Sequence, residues 1–172
     1  MRPPPLLLFM ASAMIIAVAT AFSPLGTRLV KGVPIAALVG FQAFRAVLEA
    51  VLRYWYQQGV VPVQMTFEGD NFDMLSGLLA LALGSWLQRG GPPKRLAIWG
   101  FNLIGLALLL NVGVIAVTSS PVALRRYLDD PPLLLAYHVP YGWIVHVCVA
   151  GALFGHLLVF RWLAWTAGQK RT

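Results

Sequence analysis

The chain has 172 residues, 59% of them hydrophobic and only 11% charged, with a net charge of +7 and a mean hydropathy of +0.74. Such a composition excludes an ordinary soluble domain and describes a single polytopic membrane domain over residues 1–172. The basic residues are spread over short connections and ends, which argues against nucleic acid and for a bilayer that includes anionic lipids. A lone cysteine, Cys148, excludes an intramolecular disulfide and a zinc-type cysteine framework.

Crossing the hydrocarbon core takes about 20 apolar residues. The runs that qualify are about 6–22, 34–55, 72–87, 96–117 and 141–165, so the expected fold is an all-α, polytopic transmembrane helical bundle of about five spans. The first run also resembles a cleavable signal peptide, with Arg2 before an apolar stretch and Ala19-Thr20-Ala21 after it. Cleavage would leave four spans and place Arg28 and Lys31 outside, against the usual bias of basic residues toward the cytoplasm. That bias sets the expected orientation. With the N-terminus outside and the C-terminus cytoplasmic, the inner connections carry Arg28, Lys31, Arg89, Lys94, Arg95, Lys170 and Arg171, with Arg161 nearby.

The second run holds the main anomaly. Gln42, Arg45, Glu49, Arg53 and Tyr56 fall within a sector of roughly 80° on one helix face. Ionisable groups at membrane depth cost a few kcal/mol each, so they face a partner, a cavity or a transport path. The spacing of four places Glu49 within reach of both Arg45 and Arg53. Two readings follow, a buried ion-paired network that fixes helix register and a substrate or proton path. Arg53, near the interface, is expected to snorkel.

The next connection, residues 59–73, is too apolar for a plain solvent loop yet carries Glu68, Asp70 and Asp73, and is expected to dip back into the bundle. Asn71 or Asp70 can cap the third run, and Asp73 in its first turn suits the helix dipole. The three carboxylates lack the alternation of an EF-hand loop, so capping is preferred to metal binding. In the fourth run Asn111 is the expected partner of Arg45, Glu49 or His146, and Asn102 can bond into the same interior. The following connection adds Arg125 and Arg126. Three histidines, His138, His146 and His156, lie on or just before the last run. The ten positions from His146 to His156 give an angular offset of about 80°, and no other run supplies a histidine, so a haem held between helices is unsupported. Gly151-Ala-Leu-Phe-Gly155 suits close helix packing.

Several separated blocks carry a resemblance: Phe44-Arg45 with Glu49, Met65-Thr-Phe-Glu-Gly-Asp-Asn-Phe-Asp73, Leu109-Leu-Asn111 and His156-Leu-Leu-Val-Phe-Arg161. Together they resemble a family of small bacterial integral membrane proteins without assigned activity, over most of residues 35–165. The resemblance implies a bacterial inner-membrane location and no reaction.

No phosphate loop, HExxH, GxSxG or dinucleotide fingerprint occurs in the chain, which disfavours nucleotide-driven chemistry. Neither a cofactor nor a metal is expected. The leading expectation is a non-enzymatic, permease- or channel-like protein. In it Gln42, Arg45, Glu49, Asn111, His146 and His156 are the polar-core candidates, and Glu68, Asp70, Asn71, Asp73, Arg125, Arg126 and His138 form the outer-loop set. The alternatives are an accessory or assembly subunit and an intramembrane enzyme acting on a lipid or isoprenoid. The partners to expect are the bilayer and either a second copy or a foreign membrane subunit.

Overall fold

The computed structural model describes residues 5–169, with side chains from Leu8 onward; Arg2, Lys170 and Arg171 lie outside the described residues. Seven helices and no strand occur among the described residues: α1 Pro5–Phe22, α2 Pro24–Gly32, α3 Ile35–Gly40, α4 Phe44–Gln57, α5 Asp73–Gln88, α6 Arg95–Ser119 and α7 Ala150–Gln169. A 3-10 turn, Phe41–Ala43, joins α3 to α4 so that Ile35–Gln57 runs as one 23-residue rod. A five-residue π-helical stretch, Val145–Val149, leads into α7.

Among the described residues, three rods are long and apolar enough to cross a membrane: Ile35–Gln57, Arg95–Ser119 and Val145–Gln169. A fourth is gained if α1 and α2, bent by 62° at Ser23, count as one span. The bend has a local cause. Ser23 caps α2 by accepting the N–H groups of Leu25 and Gly26, and Pro24 at the first helical position has no N–H to offer α1. The connection expected to hold Arg28 and Lys31 as a loop is therefore a short helix. α5 has only 16 residues and rises about 24 Å, short of the hydrocarbon thickness. The last rod begins at Val145 instead of at residue 141.

The interior is layered along the bundle. One end is an apolar cluster built from α2, α3, α5, α6 and α7 around Val39, Ala80, Ile98, Val159 and Leu163. The other end packs Leu52 and Ile115 against loop residues Val61, Met65, Leu133 and Leu135. The connection after α4 thus folds back between helix ends, burying Val61, Gln64, Met65, Thr66 and Asn71. Between the two clusters lies a layer of buried polar side chains. The outside is the reverse, with Val47, Leu78, Leu81, Leu103 and Leu110 exposed.

Candidate functional site

The polar layer is centred on Arg45, which is 1% exposed. Its position follows from the stripe: Gln42, Arg45 and Glu49 share the face of the Ile35–Gln57 rod that turns inward, and all three are buried. The guanidinium reaches across to the start of α5. Nε donates to Asp73 Oδ2 at 2.8 Å, and Nη2 donates to Asp73 Oδ1. Nη1 reaches Ser76 Oγ at 2.7 Å and His156 Nε2 at 2.8 Å, and both Nη1 and Nη2 donate to the Gly105 carbonyl at 3.0 Å. One side chain therefore joins α4, α5, α6 and α7, and every guanidinium nitrogen is engaged.

The histidine tautomer follows from the partners. Arginine only donates, so His156 Nε2 is the acceptor and Nδ1 carries the proton. Nδ1 then donates to Asn102 Oδ1 at 2.8 Å, while Asn102 Nδ2 donates to the His156 carbonyl at 3.1 Å. The ring is thus a neutral link between the guanidinium and α6.

Glu49 does not pair with Arg45 or Arg53, contrary to the expectation from their spacing. Its Oε2 accepts from Asn71 Nδ2 at 2.7 Å, and Arg53 turns outward to Glu68 at 2.6 Å with its guanidinium 5.3 Å from the Phe67 ring centroid. The physical reason is geometric: the carboxylate of Asp73 presents both oxygens to the fork of Arg45, and a bidentate pair is shorter and stronger than a single contact along one helix. Asn71 is the joint of the returning loop. Besides Glu49 it donates to the Met65 carbonyl at 2.9 Å, and its Oδ1 accepts the Asp73 N–H at 3.1 Å. Replacing Asn71 by alanine leaves two buried acceptors and one donor without partners. The expected cost is about 1–3 kcal/mol, read as a lowered denaturation midpoint in detergent; an unchanged midpoint would show that the loop is held by its apolar contacts alone.

The other candidates disperse. Asn111 donates to the Asp70 carbonyl at 2.8 Å and touches none of Arg45, Glu49 or His146. His146 faces α1, with its Nε2 3.5 Å from Ser12 Oγ and its ring against Phe9 and Trp143. The π-helical stretch and the angular offset turn it away from His156. Arg125 is spent on its own turn, donating to the carbonyls of Tyr127 and Asp130. His138 is exposed. The three loop carboxylates also separate: Glu68 to Arg53, Asp70 to Tyr127 and Asp73 to Arg45. No group of three or more metal-ligating side chains converges among the described residues.

A family model described as a domain of unknown function, DUF8737, matches residues 3–164. The chain belongs to this family. No curated protein and no solved structure matches it. The matched span takes in the whole polar layer of this DUF8737 chain and both connections that fold over it.

Sequence reasoning passed over Ser76 and Tyr127. Ser76 stands three residues after Asp73 and so shares its helix face, a signal available from periodicity. Tyr127 lies in an irregular connection with no such signal. Its hydroxyl donates to Asp70 Oδ2 at 2.8 Å. That hydrogen bond, then partial burial and the Asp70 charge, raise the phenol above its ordinary value. The clasp persists while the phenol keeps its proton and is lost when pH rises past that raised value. Gln64 Nε2 donates to Asp130 Oδ2, tying the same two connections at a second point.

Around Asp70 and Tyr127 lies a cleft of ≈ 450 Å³, lined also by Asn111, Arg126, Leu108 and Val114. Two smaller spaces, of ≈ 210 and ≈ 220 Å³, flank Phe154. None of the three is lined by Gln42, Arg45, Glu49, Asn102 or His156.

Proposed function

We propose that the chain is a multi-pass protein of the bacterial cytoplasmic membrane that acts as an accessory or assembly subunit, with a polar layer that fixes how its helices stand and performs no chemistry. One observation carries the reading. Every nitrogen of the buried guanidinium is engaged by Asp73, Ser76, Gly105 and His156, so Arg45 holds no donor in reserve for a passing solute. The three cavities described above agree with it, because none of them is lined by Gln42, Arg45, Glu49, Asn102 or His156. A permease path would need the polar residues to open onto one another, and they are divided between the Arg45 network, the Asp70 loop and the α1 face.

Apolar side chains turned outward over a polar interior are the pattern of a protein dissolved in lipid. Five crossings are completed when α5 and the returning loop together count as one, the loop supplying the length that α5 lacks. Arg28, Lys31, Arg89, Lys94 and Arg95 border helix ends on one side of the bundle, which supports a cytoplasmic position for that side.

Native mass spectrometry of the full chain released in mild detergent tests the reading. A foreign membrane subunit at fixed stoichiometry is the expected result. A monomer or homo-oligomer carrying one specific small solute would overturn it in favour of transport or catalysis.

A further inference from the structure

The ≈ 450 Å³ cleft beside α6 sits where the apolar outer surface meets the connections that fold over the bundle. Its apolar wall includes Leu108 and Val114, the latter 53% exposed. Its polar wall carries one charge of each sign. Asp70 lines the cleft and is held in place by Tyr127 through Oδ2 and by Asn111 through its backbone carbonyl, while Oδ1 accepts no hydrogen bond among the described residues. Arg126 is exposed, and its guanidinium makes no hydrogen bond or ion pair among the described residues. Neither charge neutralises the other, although both line one cleft.

The geometry points to a binding site for an ethanolamine phospholipid, with the primary ammonium at Asp70, the phosphate at Arg126 and an acyl chain along Leu108 and Val114. A purely anionic lipid would satisfy Arg126 but set its charge against Asp70. A choline head has no N–H to donate to that carboxylate. Only a head with both a phosphate and a hydrogen-bonding cation answers both residues. The site rests on the membrane reading above and adds to it a preferred lipid.

The full chain in mild detergent is given equimolar phosphatidylethanolamine and phosphatidylglycerol, and retained adducts are counted by native mass spectrometry. The wild type should hold the ethanolamine lipid over the glycerol lipid by about fivefold, as the one interfacial ion pair at Asp70 that the glycerol lipid lacks allows. Asp70→Asn keeps an acceptor for Tyr127 and should bring the ratio close to one. Arg126→Gln should lower retention of both lipids. Asp129→Asn, which removes an exposed carboxylate on the same connection that does not line the cleft, should leave the preference in place. No preference in the wild type, a preference that survives Asp70→Asn, retention unchanged in Arg126→Gln, or an equal loss of preference in Asp129→Asn would each overturn the site. Release of the protein from membranes by alkaline carbonate would instead overturn the membrane reading, so the two failures are distinguishable.

Discussion

Replacing Arg45 by leucine should lower the unfolding free energy by about 3–5 kcal/mol, and replacing Arg45 and Asp73 together should return most of that loss. The single change strands the Asp73 carboxylate, 7% exposed, and takes the donor from Ser76 Oγ, the Gly105 carbonyl and His156 Nε2 in the same step. With Asp73 also made apolar, no buried charge is left over. The cycle Arg45→Leu, Asp73→Leu and the double variant, followed by denaturant unfolding in one detergent, measures the coupling directly. Strictly additive losses would mean that the pair does not act as a unit. A second double variant, Arg45→Leu with Glu49→Leu, distinguishes the observed partner from the one that helix spacing suggests. It should be no more stable than Arg45→Leu alone, because Glu49 belongs to Asn71.

The second large effect is expected at Gly77. A Cβ there would stand 2.3 Å from the Ala46 backbone nitrogen and 2.7 Å from its Cβ. The obstacle is main chain, which cannot swing aside as a long side chain would. Gly77→Ala must therefore push α5 off α4 and with it move Asp73 relative to Arg45. An overpacking cost of about 1–3 kcal/mol is expected, with a further loss if the ion pair lengthens. Gly113 on α6 is the control, since a Cβ there meets nothing within 4 Å. Gly113→Ala should leave the midpoint unchanged or raise it through better helix propensity, by up to about 1 kcal/mol. Equal midpoints for the two variants would contradict the close α4–α5 contact.

Much of the polar layer could be read before any coordinates, because a period of 3.6 residues places Gln42, Arg45 and Glu49 on one face and membrane depth forces that face inward. Periodicity stops at the helix's own surface, however. It gives the direction of Arg45 but not which element stands opposite. Asp73 was legible as a residue of the first turn of α5, and its role at the helix dipole concealed its role as the arginine's partner. The reverse happened with His146, whose chemistry suggested the core while the π-helical stretch, which leaves no mark in composition, turned it toward α1. The helix α2 was missed because nine residues are too few for a clear period. The connection after α6 shows its charges, Arg125 and Arg126, in the sequence, yet its own Leu133 and Leu135 are buried, a fact set by what α4 and α6 leave uncovered and not by the loop's own pattern.

The separation of Arg45 from Asp73 by 28 residues also bears on how the chain is made. An arginine near the middle of a single emerging helix opposes partitioning into lipid by about 2.5–3.5 kcal/mol. Its counter-charge is carried by the next helix, and not by α4 itself. At about 5–20 residues per second, Asp73 is added within seconds of Arg45, and it offers both oxygens to the guanidinium. On the proposed membrane reading, α4 and α5 can enter lipid as one hairpin in which the buried arginine already has its counter-charge, so the pair that locks the bundle also lowers the cost of inserting it.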